Sequence, residues 1–531
     1  MAKGFRQIAM ITVVSRILGM VRDMTFSYFL GSKLLMDTWV IAFKIPNLAR
    51  RIFGEGALSS SLMPVYVEHL KDDRPRANQL ANTVLTALVV LLMGIVVLSQ
   101  VILVIICRSR SLTTATELML QLAVVMLPYM ILICTVATIA GILQAHRHFA
   151  APALAPVVLN VVIISALMTS AWILDFSREQ QLGFVAMGVL VAGGAQLLIQ
   201  VPFLRAQGIS LRPCYTFGGK DFRRVMLLMG PMVLGLTVTQ INTLADDVIA
   251  KVLSGPPDHT FRLLGMISVP FPVRDGAVSS LFYAQRLYQF PLGVLGISLA
   301  TAIFPVMSAE AAKKDYPALS ATLARGMRSA VFVAIPATAG MLLVGRALVS
   351  AIFEHGLFTS QDSRNVSWTL SFYVIGLCGY FTQQLTTRAY FSMKDSKQPF
   401  YSALIAVSVN IVLNLTLIWF LRAGGLALAT ALCSYLQVCF LVYGLRKRLG
   451  GAVLAGLRKT LVNTLIATGV MTFAGFGLSL LLADLPDSRL FNTIRVGIIV
   501  ACAGGVFLVA AKALRMEELG LLTGRGIRHG R

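Results

Sequence analysis

The chain has 531 residues, of which 57% are hydrophobic and only 13% charged, and its 46 Lys and Arg exceed its 23 Asp and Glu to give a net charge of +23. Soluble domains carry about 25% charged residues, so this composition excludes a soluble globular protein and defines an all-α polytopic membrane protein. The basic excess sits on the loops of one side (Arg205 to Arg224, Lys313/Lys314, Arg446-Lys447-Arg448 and the tail ending in Arg531), which is the positive-inside pattern, predicts two cytoplasmic termini, and needs no nucleic acid as partner.

Apolar runs long enough to span a bilayer recur along the whole chain, about fourteen of them. They cover approximately residues 7–30, 34–54, 80–107, 119–144, 154–175, 183–204, 225–252, 279–304, 324–350, 368–392, 400–421, 425–445, 460–483 and 490–513. The first run is not a cleavable signal peptide, because Arg16, Arg22 and Asp23 lie inside it and no small-residue cleavage site follows.

Runs 1 and 2 carry Arg16, Arg22, Lys44, Arg50 and Arg51, and run 8 adds Arg286. A charge at the bilayer centre costs roughly 2.5–3.5 kcal/mol, so six such cations must face a polar cavity rather than lipid. Only three acids accompany them, Asp23, Asp37 and Glu55, and an anionic ligand would supply the missing negative charge. In run 2, Asp37, Lys44 and Arg51 recur every seven residues and Glu55 follows four later. At 100° per residue these fall within about 40° of one another, a polar stripe about 27 Å long. In run 1 the same arithmetic pairs Ser15 with Arg22 and Arg16 with Asp23 on common faces. The bland alternative is an internal ion-pair network, which would approach neutrality. Arginine suits a diphosphate, because its planar fork binds phosphate oxygens bidentately and stays ionised. Tyr283, Tyr288 and Phe290 flank Arg286 and are candidates to stack on sugar or pack on a lipid chain.

Gly19, Pro46, Pro291, Gly293 and Gly296 are expected breaks close to these charges, and Pro128, Pro231 and Pro336 interrupt other runs. Internal repetition is visible: LMPVYVE at 62–68 and IFPVMSAE at 303–310 each close a helix before a short charged loop. The repeat suggests bundles over 1–210 and 211–450, with 451–531 as two extra helices and a basic tail. Run 7 carries Asp246 and Asp247, run 11 Asn410 and Asn414, and run 12 Thr430. Their oxygens suit a small hard cation, and they equally suit interhelical hydrogen bonding. The seven Cys have no metal spacing and read as small buried hydrophobes, and His146 and His148 read as interfacial. The outer connection 254–279 has an apolar middle, suited to lying on the membrane surface or to covering an outer mouth.

SRILGMVRD (15–23), DTWVIAFKIPNLARRIFGEGALSSSLMP (37–64) and RLYQFPLGVLGISLATAIFP (286–305) resemble the signature stretches of MurJ/MviN-type lipid II flippases, a family within the multidrug, oligosaccharidyl-lipid and polysaccharide exporter superfamily. The resemblance implies fourteen helices in a V-shaped fold of two six-helix bundles plus two. It also implies alternating access for an undecaprenyl-diphosphate-linked peptidoglycan precursor. The location implied is the bacterial inner membrane, with membrane lipids and other cell-wall synthesis proteins as partners. Arg16, Arg22, Arg50 and Arg286 match the family's cavity arginines, and Asp23, Asp37, Lys44 and Glu55 match further motif positions. The match favours Arg50 where helical spacing favours Arg51; a break at Pro46-Asn47 would reconcile them. A sodium ion is the one cofactor implied, at Asp246, Asn410, Asn414 and Thr430, with Asn414 where a second carboxylate can occur. Competing readings are an exporter of another polyisoprenyl-linked saccharide, a multidrug exporter, or a membrane-embedded glycosyltransferase. The outer acids are scattered and form no catalytic motif, and no Gly-rich nucleotide loop points to ATP use.

Overall fold

A computed structural model describes residues 2–109, 113–256, 259–263, 267–484, 486 and 488–522. The chain divides into two compact units, Met1–Leu244 and Ala245–Arg531, with the division falling inside one helix. Bilayer interiors offer no water to backbone groups, so the spanning segments are helical throughout.

Unit 1 is built from α1 (Ala2–Leu30), α2 (Leu34–Ala49), a π-helical segment π1 (Arg50–Leu58), α3 (Ser59–Asp72), α4 (Arg74–Ser109), α5 (Thr114–Met126), α6 (Tyr129–Ala145), α7 (Ala150–Trp172), α8 (Arg178–Ala206) and the greater part of α9 (Lys220–Val252). α7 packs between α1 and α8, and π1 lies on α6. The π1–α6 contact is close enough to require Gly54, since a Cβ there would lie 2.8 Å from Ala137 Cβ. α4 turns Val90, Leu91, Leu98, Ile102 and Ile105 outward, the surface expected of a lipid-facing helix.

Unit 2 continues with a β-hairpin, β1 (Thr260–Leu263) and β2 (Ile267–Pro270), paired antiparallel with Phe261 opposite Val269. It then runs through α10 (Ala277–Pro291), π2 (Leu292–Ile297), α11 (Ser298–Ala312), α12 (Tyr316–Phe353), α13 (Ser360–Ile375), α14 (Leu377–Ser392), α15 (Lys397–Leu421), α16 (Ala423–Leu449), α17 (Leu457–Leu481) and α18 (Arg489–Ala513). α15 packs on α16, and α17 and α18 pack on α12, where Phe332, Met471 and Phe507 form the core. The tight turn from α15 to α16 holds Arg422 at φ 56, ψ −137. That region is left to glycine as a rule and costs a larger residue about 1–3 kcal/mol.

Ten helices among the described residues are long and apolar enough to cross a membrane, and α5 with α6, bent by 43°, makes an eleventh span. The expected count of about fourteen adds α1, α2 with π1, and α13 with α14. α1 and α2 with π1 carry charged residues, and α2, α13 and α14 are only 16 residues each, α13 ending at Gly376, where a Cβ would meet Tyr380 at 2.6 Å. α1, α9 and α12 run unbroken through Gly19, Pro231 and Pro336, against expectation, while Pro128 separates α5 from α6 as expected. Within the 254–279 connection the two strands pair, and Phe261 stacks on Phe271 at 5.0 Å and on Trp419 at 6.3 Å. The hairpin, with a parallel bridge between Ser254 and Val273, is the β-structure among the described residues of an otherwise helical chain.

The α14–α15 turn is fixed by Asp395, whose Oδ2 accepts from Arg448 Nη1 at 2.6 Å while its Oδ1 accepts the Lys397 and Gln398 amides. Partial burial pushes this carboxyl up, and the Arg448 bond with the two amides outweighs it, leaving the pKa below the usual value. A depressed folded-state pKa adds stability above the unfolded value, and that stability is lost as pH falls through the folded one. Asp395→Asn is expected to lower the melting temperature at pH 7, with the gap to wild type closing as pH drops below about 3.8. A gap of constant size from pH 7 to pH 3 contradicts this.

Candidate functional site

Arg22 is nearly buried, with 12% of its side chain exposed. Its Nη2 and Nε donate to Asp23 Oδ1 at 2.7 and 3.0 Å, and its Nη1 donates to Asn160 Oδ1 on α7 at 3.0 Å. Asn160 Nδ2 donates in turn to the Ser15 carbonyl at 3.3 Å. One amide on α7 therefore ties together the two residues that helical arithmetic put on one face of α1. Sequence reading missed Asn160; its signal was a lone carboxamide in the apolar run 154–175. Three of the five guanidinium N–H groups are occupied, so Arg22 is held in orientation with two donors to spare. Arg16 is exposed on α1.

Along α2 and the start of π1, Asp37 is buried, Lys44 half-buried and Arg51 exposed. Lys44 Nζ donates to the Thr243 carbonyl at 2.8 Å, and Arg51 Nη1 donates to Gln240 Oε1 at 3.3 Å. Both acceptors lie on the part of α9 that belongs to unit 1, so this face of the stripe is turned to α9. Arg50 begins π1, and the half-buried side chain acts electrostatically, as Arg22 does, on the fully buried Tyr129 at the start of α6. Tyr129 thus lies within electrostatic reach of both Arg22 and Arg50. The tension between Arg50 and Arg51 has its origin in the backbone. Hydrogen bonding passes from α to π register at Arg50, four residues after Pro46, so the heptad arithmetic stops applying there. The side chain of Glu55 lies outside the described residues.

In unit 2, Arg286 is half-buried with its Cζ 4.7 Å from the Phe282 ring centroid, in cation–π range. The neighbouring tyrosines are not available to a ligand as expected. Tyr283 is fully buried against Phe353 and Phe358, and Tyr288 stacks with Tyr373 and Tyr380 at 4.9 and 5.3 Å. They anchor α10; Phe290 is 58% exposed. As at Arg50, a π segment follows: π2 begins at Leu292, directly after Pro291.

Asp246, Asn410 and Asn414 are at most 3% exposed and meet with Thr430 in one network. Asn414 Nδ2 donates to Asp246 Oδ1 at 2.6 Å and to Asn410 Oδ1 at 2.9 Å. Thr430 Oγ1 donates to Asp246 Oδ2 at 3.3 Å, and Asn410 Nδ2 reaches Thr430 Oγ1 at 3.5 Å. The oxygen set of one carboxylate, two amides and a hydroxyl fits a small hard cation once the Asn414 amide turns its oxygen inward. In the present arrangement its nitrogen donates to one oxygen of Asp246 and to one of Asn410. No cluster of three or more His, Cys, Asp or Glu suited to a metal occurs among the described residues. His146 Nε2 meets the Tyr66 hydroxyl at 2.8 Å and His148 stacks on Phe203, both structural roles.

A polytopic helical protein carries cations within its apolar segments, Arg50 at the start of one π segment and Arg286 six residues before the other. An inward-facing MATE family multidrug resistance transporter of the MOP superfamily shares the fold at a TM-score of 0.65 and 14% identity, over 82% of this chain and 95% of that one. A solved lipid II flippase MurJ in an inward closed conformation matches more fully, at a TM-score of 0.76 and 22% identity over 96% of this chain and 99% of that one. Residues 26–486 match the family described as Lipid II flippase MurJ, and the chain belongs to that family. Two relatives carry the name "Probable lipid II flippase MurJ". The one from Vibrio cholerae is 31% identical over 451 residues, 82% of this chain and 81% of its own length. The one from Rickettsia prowazekii is 27% identical over 471 residues, 88% of each. The family is one of transporters, not enzymes.

Asn160→Leu is expected to leave the Arg22 guanidinium and the Ser15 carbonyl each short of a partner, destabilising unit 1 by about 1–3 kcal/mol. Thermal unfolding of purified protein measures this. A melting temperature equal to that of wild type would mean that the bridge contributes nothing.

Proposed function

We propose that this chain is a lipid II flippase that carries the undecaprenyl-diphosphate-linked peptidoglycan precursor from the inner to the outer leaflet of the bacterial inner membrane. Fourteen crossings and cytoplasmic termini belong to the same reading. The observation that carries it, beside family membership, is the charge imbalance at membrane depth. Within the first 55 residues Arg16, Arg22, Lys44, Arg50 and Arg51 stand against Asp23, Asp37 and Glu55. A diphosphate restores the balance, and the forks of Arg22 and Arg50 give it directed donors in a low dielectric. Asp23 and Asn160 orient Arg22, while Lys44 and Arg51 supply point charge and reach from the α2 stripe. Arg286 is a further cation for the same cargo. Release on the far side follows from competition by water and by the acids for the same guanidinium groups. A multidrug substrate without a diphosphate would have no use for this concentration of arginine.

Arg22→Ala and Arg50→Ala are each expected to abolish rescue of cells depleted of their own flippase while the protein still reaches the membrane. Arg22→Lys is expected to fail as well, because an ammonium cannot reproduce the fork. Full rescue by both alanine variants rejects the diphosphate role.

We further propose that Asp246, Asn410, Asn414 and Thr430 hold a sodium ion. When bound, it would supply the positive charge that a carboxylate buried among helices requires. Purified protein is expected to melt at a higher temperature in sodium chloride than in choline chloride at equal ionic strength, and Asp246→Asn to lose the difference. Identical melting of wild type in both salts removes the sodium assignment and leaves the flippase reading standing.

A further inference from the structure

Unit 2 contains a half-open cavity of about 370 Å³ that the transport reading does not use. Its lining joins the segment before α10, the first turn of α10, the middle of α13 and the α15–α16 turn, with Arg274, Asp275, Asn365, Trp368, Phe420 and Arg422 as its chemically distinctive members. On α10 the lining ends at Ser280, six residues or about 9 Å of helix from Arg286. The turns at its mouth lie at the opposite helix ends from Lys313/Lys314, Lys394 and Arg446–Arg448, so the positive-inside pattern places the cavity on the outer face.

The cavity is cationic. Both Arg274 and Arg422 are exposed, and neither makes a side-chain hydrogen bond or ion pair with another described residue. The carboxylate of Asp275 is offset by Lys251, whose Nζ lies 4.0 Å away. Ala277 and Ala423, the first residues of α10 and α16, also line it, adding the positive ends of two helix dipoles. Arg422 occupies a backbone conformation that glycine would adopt without strain, although glycines stand two and three positions later. The turn therefore keeps a guanidinium at the mouth where a smaller residue would suit the backbone better.

The cavity is also at the level of lipid headgroups. Phe420 is 81% exposed beside it, Trp419 and Trp368 are partly exposed, and Trp368 Nε1 donates to the Leu421 carbonyl at 3.1 Å. Aromatic residues with one apolar side and one bonded polar atom mark the membrane–water boundary. A cationic pocket with an apolar rim at that depth suits an anion attached to a hydrocarbon chain better than a soluble anion or an acidic protein segment.

We propose that this cavity binds the phosphate of a lipid headgroup in the outer leaflet, with Arg274 and Arg422 on the phosphate oxygens and Phe420 along the adjoining chain. The same chemistry belongs to bulk anionic phospholipid and to a polyisoprenyl diphosphate after delivery. Native mass spectrometry of the purified full chain with phosphatidylglycerol, diacylglycerol or undecaprenyl diphosphate separates the cases. Wild type is expected to retain phosphatidylglycerol at least fivefold more than an Arg274→Gln/Arg422→Gln variant, with diacylglycerol retained equally by both. Displacement of phosphatidylglycerol by undecaprenyl diphosphate assigns the site to delivered cargo, and persistence in its presence assigns it to bulk lipid. Equal phosphatidylglycerol retention by wild type and variant overturns the proposal. If the double variant does not fold, Trp368 fluorescence in an otherwise wild-type chain with Trp39, Trp172 and Trp419 replaced by Phe supplies the readout. Brominated phosphatidylglycerol is then expected to quench it more than brominated diacylglycerol, and equal quenching overturns the site. Neither readout involves transport, so failure here leaves the flippase reading untouched.

Discussion

An ionised side chain within a bilayer must be solvated by something other than lipid, and much of the local structure follows from how that demand is met. Arg22 meets it with a carboxylate next in sequence and an amide from a neighbouring helix. Lys44 meets it with a backbone carbonyl of α9, Arg286 with an aromatic face, and Asp246 with an amide and a hydroxyl from two helices. Except for Arg286, whose aromatic partner Phe282 lies on its own helix α10, each solution fixes one helix against another. The groups that would bind cargo are thus also groups that set helix packing, and in a low dielectric the two roles cannot be separated by geometry alone.

The two units repeat a motif that is more distinct in backbone than in sequence. In unit 1 a helix carries its cations through an internal proline into a π segment, then into a helix containing Pro64-Val65. In unit 2 the order is the same, with Arg286, Pro291, π2 and then Pro305-Val306 in α11. The short likeness of LMPV to IFPV is the residue of this correspondence. The rest of the repeat is held by hydrogen-bond register, which tolerates wide substitution of side chains.

Much of this was legible in the sequence, because bilayer thickness and charge cost are strong constraints. The apolar runs, the polar stripe of α2 and the meeting of Asp246 with Asn410, Asn414 and Thr430 all follow from spacing or from motif likeness. What escaped depends on neighbours. Asn160 stood out as a lone carboxamide in its apolar run, but its partner Arg22 was not legible there. Tyr283 and Tyr288 read as ligand-facing because they flank Arg286, yet successive helical positions point in different directions and theirs point into the core. The hairpin at 260–270 was hidden because alternation over four residues is too short to separate strand from loop. The π segments were invisible because no residue pattern specifies a register change as firmly as proline specifies a kink.

A π segment holds slack. Each i→i+5 turn contains one residue more than the α turn it replaces, and returning it to i→i+4 bonding would swing everything downstream by about 100°. Such a change breaks few hydrogen bonds at any moment, because each carbonyl passes from one amide to its neighbour. At Arg50 the surplus residue lies between the cation and α3, and at Leu292 it lies between Arg286 and α11. A change of register at either place would therefore shift or turn the preceding helix while α3 or α11 keeps its place. The joint is a gear as much as a hinge, and its ratio is one residue.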